Sequence, residues 1–252
     1  MDLALKGKVA LVTGGSRGIG RAISRRLAHE GAAIAVNYLQ DSDAAVEVVR
    51  EIHATGSLAL AVRADVSRRD EVDQMVRQVR DLLGPVEILV NNAGGGSHEI
   101  GILDISQGGW DLTVGVILRG AFNCIQAVLS GMMERGYGRI VNISSIAALG
   151  FLPNFPHYCA AKAGLIGLTK AVAKEVVHKG VTVNAVCPGT VLTDLLGVRQ
   201  MTVEELQGWH DRHPRGRCAS PDDIAPMVTF LCSDLSAHVT GQVVNISGGE
   251  YV

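Results

Sequence analysis

The sequence has no C-x-x-C pair and no block of basic residues. Its five cysteines are odd in number and widely spaced, which argues against a disulfide framework and a zinc cluster and favours a reducing compartment. The net charge is −2, and Lys and Arg are scattered along the chain. Because no phosphate-tracking stripe is visible, we expect no nucleic-acid partner.

The sequence also lacks a secretory signal and a clean membrane span. The N-terminal residues include Asp2 and Lys6 and run directly into a strand pattern, without a basic start, an apolar core and a cleavage site. The most apolar long stretch, residues 112–133, contains Arg119 near its middle, so we expect a helix buried on several sides. These features predict a cytoplasmic protein that does not enter a membrane.

Short β-branched runs alternate with longer runs of helical periodicity. The strand runs are apolar without alternation, which is typical of parallel strands covered by helices on both faces. We predict strands over 9–12, 33–36, 58–62, 86–90, 139–143, 181–186 and 242–246. The pattern predicts one α/β domain over residues 1–252, a doubly wound, seven-stranded parallel sheet, with a substrate loop at about 190–220.

A glycine-rich turn, Thr13-Gly14-Gly15-Ser16-Arg17-Gly18-Ile19-Gly20, follows the first predicted strand. Gly14 permits a tight turn, Gly18 lets the backbone approach a pyrophosphate, and Gly20 allows close helix packing. Glycine spacing alone is a weak signal, but the strand before it and the helix after it indicate a dinucleotide-binding turn. The predicted cofactor-binding residues here are Gly14, Ser16, Arg17, Gly18, Ile19 and Gly20.

The end of the second strand indicates which dinucleotide binds. It reads Val36-Asn37-Tyr38, without the carboxylate that holds the ribose hydroxyls in NAD-specific sites. Arg17 lies in the neighbouring turn and suits a 2′-phosphate, so we expect NADP(H) rather than NAD(H), with Asn37 and Arg17 beside it. Asp41 and Asp43 have the pattern of helix N-terminal residues with a capping role.

Tyr158 and Lys162 are four residues apart on a predicted helix, and Ser145 precedes Tyr158 by thirteen residues. A spacing of four puts two side chains on one helix face about 6 Å apart along the axis. A nearby ammonium favours the phenolate, so we expect Lys162 to lower the pKa of Tyr158 and make it a usable acid, while Ser145 bonds a substrate oxygen. On spacing alone, an ordinary half-buried Tyr and a solvated Lys remain the alternative.

The motifs TGGSRGIG, NNAG, a Ser thirteen residues before YCAAK, and CPGTVLTD together resemble those of the short-chain dehydrogenase/reductases. The branch they resemble is that of bacterial 3-oxoacyl-acyl-carrier-protein reductases, and the likeness covers nearly the whole chain. The resemblance implies a Rossmann fold and a nicotinamide cofactor. It also implies Tyr158 as general acid/base, Lys162 as the residue that lowers its pKa and holds the nicotinamide ribose, and Ser145 as the group polarising the carbonyl.

Further cofactor contacts and an assembly follow from the same resemblance. It implies Asp65 and Val66 at the adenine, and Asn91, Ala93 and Gly94 at the adenosine-side ribose. Val191 and Thr193, after Pro188 and Gly189, would border the nicotinamide amide. It further implies a homotetramer built partly from helices over 112–133 and 157–179, and an acyl carrier protein as a possible partner, with Arg119, Arg212 and Arg215 as candidate contacts.

One position departs from the family pattern. Ile117 stands where relatives carry an Asn that helps to hold a water linking the Lys to solvent. An isoleucine side chain cannot hydrogen-bond a water, so we expect proton supply by another or a slower route. Histidines such as His210 and His213 have no visible third ligand and are expected to be mostly solvated, and a Tyr acid needs no metal, so we expect none.

These observations predict an NADP(H)-dependent oxidoreductase that reduces a ketone, of the 3-oxoacyl or a similar β-keto class, by hydride transfer. The substrate would be a small carbonyl compound or acyl thioester. One alternative is a dehydrogenase of a cyclic alcohol, sugar or steroid, with a pocket formed by residues 95–98 and 190–220. Another is a catalytically weak NADP-binding scaffold or sensor, which Ile117 favours and the intact Ser145, Tyr158 and Lys162 oppose.

Overall fold

Seven parallel strands form one sheet in the computed structural model, which describes residues 2–94, 100–193 and 200–251. They are β1 (Val9–Val12), β2 (Ala33–Tyr38), β3 (Ala59–Arg63), β4 (Ile88–Asn91), β5 (Gly138–Ile143), β6 (Val181–Pro188) and β7 (Val243–Ile246). Their order across the sheet is β3-β2-β1-β4-β5-β6-β7, and every neighbouring pair is parallel. The predicted parallel α/β sheet is confirmed.

Eight α-helices accompany the strands in the part of the chain that the structure describes. They are α1 (Gly18–His29), α2 (Ser42–Ala54), α3 (Arg69–Leu82), α4 (Gln107–Val114), α5 (Gly120–Arg135), α6 (Pro156–Val176), α7 (Val203–Arg212) and α8 (Pro221–Leu231). Successive strand residues point to opposite faces. Accordingly, Val12 packs in a core layer with α1, α2 and α8, whereas Leu11 packs in a second layer with α3, α5 and α6. The predicted doubly wound arrangement is therefore confirmed.

The long apolar helix runs from Gln107 to Arg135 and is interrupted once. A π-helical turn, Gly115–Arg119, separates α4 from α5. By length and composition this helix could span a membrane, but core helices pass the same test, and half of its most apolar window is buried inside the chain. Cys124, Val128 and Met132 pack in the second core layer, against the sheet. This packing is typical of a helix in the core of a protein.

A chain of buried polar groups lies beneath the sheet edge. Asn91 donates from Nδ2 to Asn142 Oδ1 at 2.8 Å, and Asn142 donates from Nδ2 to Thr169 Oγ1 at 2.9 Å. Thr169 donates in turn to the Leu165 carbonyl at 2.8 Å. The network joins the ends of β4 and β5 to α6, and it satisfies amides that would otherwise be costly to bury.

We expect Thr169→Val to destabilise the fold, because it keeps the side-chain shape and leaves the Asn142 amide without an acceptor. The expected loss in the free energy of unfolding is about 1–3 kcal/mol, measured by urea denaturation. Thr182 is a matched control, since it is also buried and its hydroxyl has no hydrogen-bond partner within the described part of the chain. Thr182→Val should be neutral or stabilising, and equal losses in the two variants would contradict the network's role.

Candidate active site

The predicted site residues lie at or after the carboxyl ends of the strands, which parallel pairing brings to one edge of the sheet. Gly14 follows β1, Asp65 follows β3, Ser145 follows β5 and Gly189 follows β6. The chain proceeds from β1 to β2 on one side, while β4 lies on the other side of β1. A crevice at such a switch in strand order is where open α/β sheets bind ligands.

The glycine turn has the conformation that its sequence predicted. Gly14 and Gly18 have positive φ angles of 59° and 53°, which glycine adopts without strain. A Cβ at Gly20 would collide with the Gly14 carbonyl and lie 2.5 Å from Asn92 Nδ2. Gly20 is therefore needed for the helix to start directly against the turn.

Three polar side chains hold this turn in place. Asn37 accepts from the Gly14 N–H at 3.2 Å and donates to the Ala64 carbonyl at 3.1 Å. Asn92 donates to the Thr13 carbonyl at 2.9 Å and to the Gly14 carbonyl at 3.1 Å. Thr13 Oγ1 accepts from the backbone N–H of Asn92 at 2.9 Å. Sequence reasoning missed the roles of Thr13 and Asn92, although polar residues at the ends of adjacent parallel strands were a usable signal.

Asn37 is buried and its side-chain amide is engaged with the protein backbone. In this structure it holds the turn, and its predicted contact with a cofactor stays a prediction. The neighbouring acids have the role that the sequence indicated: Asp41 caps α2 by accepting from the Ala44 N–H at 2.9 Å, and Asp43 lies in the first turn.

The start of α1 fits a phosphate group. Among the described residues, no side chain caps this helix, and its first turn contains no acidic residue. The starts of α2 and α7, by contrast, are capped by Asp41 and Thr202 and carry acidic residues in the first turn. Uncapped N–H groups and the positive end of a helix dipole favour an anion. Arg17, the N-cap residue, is exposed beside them.

The residues expected at the adenosine end make contacts within the protein. Asp65 Oδ1 accepts from the Ser67 N–H at 2.9 Å, and Val66 is buried against Gly120. Asn91 gives its side chain to the network with Asn142. Roles at the adenine and the ribose therefore stay predictions, and so do those of Ala93 and Gly94, which follow β4 on the same edge.

The segment after β6 reaches back to the glycine turn. Val191 forms an isolated parallel bridge with Ala219, which fixes the backbone after Pro188 and Gly189. Thr193 Cγ2 lies 3.3 Å from the position that a Cβ would occupy at Gly18. The predicted nicotinamide-binding segment thus lies over the start of α1. Residues 95–99 and 194–199, which include parts of both predicted substrate loops, lie outside the described residues.

Ser145, Tyr158 and Lys162 meet at the ends of β5 and α6. The Ser145 hydroxyl lies close enough to Tyr158 to lower the pKa of the phenol, and its Oγ accepts from the Ala147 N–H at 3.1 Å. Lys162 is buried and donates from Nζ to the Ile143 carbonyl at 2.7 Å, with Nζ 5.6 Å from the centroid of the Tyr158 ring. The structure therefore brings the three predicted catalytic side chains together at the ends of β5 and α6.

Burial shifts the pKa values of both ionisable groups toward their neutral forms. It raises the pKa of Tyr158, and the hydrogen bond from Ser145 opposes this only in part. It lowers the pKa of Lys162 to about 8. The net pKa shift of Tyr158 is therefore opposite to the expected one, because loss of hydration outweighs the hydrogen bond from Ser145, and a lowering of this pKa by Lys162 stays a prediction.

Ile117 is part of the apolar wall behind this pair. It lies in the π-helical turn, is buried, and packs with Ala161 and Leu165 in a small cluster that Tyr158 also contacts. An apolar side chain at this position cannot anchor a water. Another route for proton supply stays a prediction.

The histidines and cysteines are the side chains that could bind a metal, and their burial and contacts differ. His157 and His213 are buried, so the expectation of solvated histidines is wrong for these two, and His210 Nδ1 accepts from the Cys218 N–H at 3.0 Å. All five cysteines are free thiols and buried. Within residues 2–94, 100–193 and 200–251, no group of three His, Cys, Asp or Glu side chains could hold a metal ion.

Comparison with known proteins decides the family. A family model described as enoyl-(acyl carrier protein) reductase matches residues 14–250. A 3-oxoacyl-[acyl-carrier-protein] reductase of Staphylococcus epidermidis is 40% identical over 97% of this chain and 99% of its own. The chain belongs to the short-chain dehydrogenase/reductase family. This short-chain dehydrogenase/reductase is thus an oxidoreductase that acts on ketone or hydroxyl groups with a nicotinamide cofactor.

Two further relatives show how far the named activities differ at about 40% sequence identity. A 3-oxoacyl-[acyl-carrier-protein] reductase of Synechocystis sp. is 42% identical over 98% of both chains. A (2S)-[(R)-hydroxy(phenyl)methyl]succinyl-CoA dehydrogenase subunit of Thauera aromatica is 40% identical over 98% of both chains. Relatives with nearly the same sequence identity to this chain are therefore named for different substrates, and some are named as reductases and others as dehydrogenases.

We predict that the Lys162 amine loses its proton near pH 8 in the cofactor-free protein, because burial disfavours the ammonium. Carbon-13 NMR of lysine-labelled protein would follow its Cε resonance through a pH titration. The Lys162 resonance is assigned as the one that is missing from the spectrum of the Lys162→Met variant. A titration midpoint above about pH 10, which is the pKa of a hydrated lysine, would contradict the claim that burial lowers the pKa of Lys162.

Proposed function

We propose that this enzyme reduces 3-oxoacyl thioesters to 3-hydroxyacyl thioesters with NADPH. The observation that carries the proposal is the meeting of Ser145, Tyr158 and Lys162 at the same sheet edge as the open start of α1. The reductases of Staphylococcus epidermidis and Synechocystis sp., which match this chain over nearly its full length, support the 3-oxoacyl class.

The cofactor would lie along the carboxyl edge of the sheet. The Gly14–Gly20 turn and the first N–H groups of α1 would hold its phosphates, and the segment from Pro188 to Thr193 would border its nicotinamide. When bound, the reduced nicotinamide supplies the hydride. The protein supplies the proton and the hydrogen bonds to the substrate oxygen.

Tyr158 is the proposed proton donor. Its raised pKa keeps the phenol protonated at neutral pH, so the hydroxyl is ready to give its proton to an oxygen that gains negative charge. Ser145 places a second hydroxyl at the same point and donates a hydrogen bond to that oxygen. Lys162, protonated below about pH 8, stabilises the phenolate that remains on Tyr158.

Three features support NADP(H) over NAD(H). Asn37, where a ribose-binding carboxylate would lie, is neutral and buried. Arg17 is exposed at the N-cap of α1, on the adjacent turn. Arg63, which the sequence did not single out, donates from Nε to the Leu39 carbonyl at 3.0 Å and so brings a second guanidinium to the end of β2. Two cations without a carboxylate favour a 2′-phosphate.

Oxidation of a hydroxyacyl-CoA is the second candidate function. The Thauera aromatica relative, named as a dehydrogenase of such a CoA ester, is as similar to this chain as the Staphylococcus epidermidis reductase. The catalytic groups serve either direction, since Tyr158 would accept a proton in oxidation. The raised pKa of Tyr158 favours reduction, which begins from the protonated phenol.

A homotetramer in the cytoplasm, with one domain per chain, is the assembly that we propose. Leu112 and Phe122 on the long helix are large apolar side chains that stay exposed in the single chain, 54% and 46% respectively, and this supports a covered face there. For an acyl carrier protein, Arg119, Arg212 and Arg215 remain the proposed contacts, because basic side chains complement an acidic partner.

The substrate assignment is tested by following the absorbance of reduced nicotinamide. We expect NADPH oxidation with acetoacetyl-CoA and with acetoacetyl-acyl carrier protein, faster than NADP⁺ reduction with 3-hydroxybutyryl-CoA. Turnover confined to cyclic alcohols, sugars or steroids would favour the alternative dehydrogenase. Tight NADPH binding without turnover of any of these would favour a sensor.

Replacing Tyr158 by Phe should lower kcat for acetoacetyl-CoA reduction by on the order of 10²- to 10⁴-fold, because it removes the positioned acid and keeps the ring. The dissociation constant for NADPH, measured by fluorescence titration, should change little. Phe155, whose ring lies 6.5 Å from that of Tyr158, offers a matched control as Phe155→Leu. Turnover of Tyr158→Phe near the wild-type rate would refute the assignment.

Replacing Arg17 by Ala should weaken NADPH binding by about tenfold, because it removes a charged partner of the 2′-phosphate. NADH binding should be unaffected, since NADH lacks that phosphate. Isothermal titration of both cofactors gives the comparison, and Arg50→Ala, an exposed arginine on α2, serves as control. Equal losses for both cofactors would argue that Arg17 contacts another part of the molecule.

A further inference from the structure

A carboxylate near the end of the described chain bonds the segment that follows β6. Glu250 Oε2 accepts from the Thr190 N–H at 2.5 Å, and Glu250 Oε1 accepts from the Thr190 hydroxyl at 2.5 Å. Thr190 stands between Gly189 and Val191, in the segment proposed to border the nicotinamide. Two short bonds to one carboxylate fix both the backbone and the side chain of this residue.

Two glycines make the close approach possible. A Cβ at Gly189 would collide with the Glu250 carboxylate and lie 2.8 Å from the Ser247 Cα. A Cβ at Gly248 would lie 2.6 Å from His213 Cε1. Gly189 thus lets Glu250 reach the segment after β6, and Gly248 lets His213 pack against the chain just before Glu250.

His213, just after α7, faces the same carboxylate. Its Nδ1 accepts from the Arg215 N–H at 3.2 Å, so in the neutral ring the proton resides on Nε2. Nε2 is buried and lies 3.7 Å from Glu250 Oε2. Glu250 therefore lies between the segment after β6 and the end of the substrate-loop helix.

The next residue extends these contacts toward the catalytic serine. The Tyr251 ring lies 3.0 Å from the position that a Cβ would occupy at Gly150, five residues after Ser145. The Tyr251 carbonyl accepts from Asn245 Nδ2 at 2.6 Å, which anchors it to β7. The segment from Gly249 to Tyr251 thus contacts the connections that follow both β5 and β6.

We propose that Glu250 is a positioning residue for the nicotinamide end of the cofactor. By holding Thr190 it sets the backbone of Val191 and Thr193, the residues proposed to meet the nicotinamide amide. This inference rests on the proposed binding of NADP(H), but not on the substrate. Glu250 belongs to no motif that the sequence analysis identified, and it acts through Thr190.

Binding measurements without substrate test this role. NADPH is compared with 2′-monophosphoadenosine-5′-diphosphoribose, which has the same phosphates and lacks the nicotinamide. Glu250→Ala should weaken NADPH binding by about tenfold, since two charge-assisted bonds to the segment are lost, and leave the fragment's dissociation constant unchanged. Glu250→Gln, which keeps one acceptor oxygen, should give a smaller loss of about threefold. The exposed Glu204 on α7 supplies the control Glu204→Ala.

The outcomes separate positioning from general stability. If NADPH and the fragment weaken equally, or if NADPH binding does not change, the proposal is overturned. If Glu250→Ala does not fold, as judged by its melting temperature, the dissociation constants of NADPH and of the fragment are compared in Glu250→Gln and Thr190→Val instead. A wild-type protein that binds NADPH more tightly than the fragment but reduces no thioester would contradict the proposed substrate and leave the role of Glu250 standing.

Discussion

Parallel pairing is the constraint on which the site depends. Every strand of a parallel sheet ends at the same edge, where the ladder stops and backbone N–H and C=O groups need other partners. In this chain the partners include the side chains of Asn37, Asn92 and Thr13. They bond backbone groups at the ends of β1 and β4 over 2.9–3.2 Å. The turn that leaves the start of α1 open to an anion is therefore held by amide and hydroxyl side chains, and the glycines only make it sterically possible.

Burial then determines how Tyr158 and Lys162 are charged. It moves Tyr158 and Lys162 in opposite pKa directions, and both shifts favour the neutral side chain. At neutral pH the phenol keeps its proton, while a lysine with a pKa of about 8 is still mostly charged. These charge states suit the donation of a proton, which the proposed reduction requires. The apolar wall that includes Ile117 strengthens this bias, because it excludes water from one side of the tyrosine.

The sequence predicted the elements that depend on local patterns, and it failed where distant residues decide. Alternating strand and helix runs predicted all seven strands, and a spacing of four predicted the neighbourhood of Tyr158 and Lys162, because helix geometry fixes it. The direction of the Tyr158 pKa shift depends on packing that spacing does not encode. The contact of Glu250 with Thr190 joins residues sixty positions apart, and Glu250 belongs to no motif in the sequence.

The edge of the sheet has two parts, strand ends tied by side-chain hydrogen bonds and strand ends followed by long connections. At β1 and β2 the strand ends are tied by short side-chain bonds, whereas long connections follow β5 and β6, including the segment with α7. Loops can change without altering the strand ends that hold the reacting groups. This explains how relatives of 40% identity are named for carrier-protein and CoA substrates. Glu250 matters in this respect because it bonds Thr190, at the start of the long connection that follows β6, where the nicotinamide is proposed to lie.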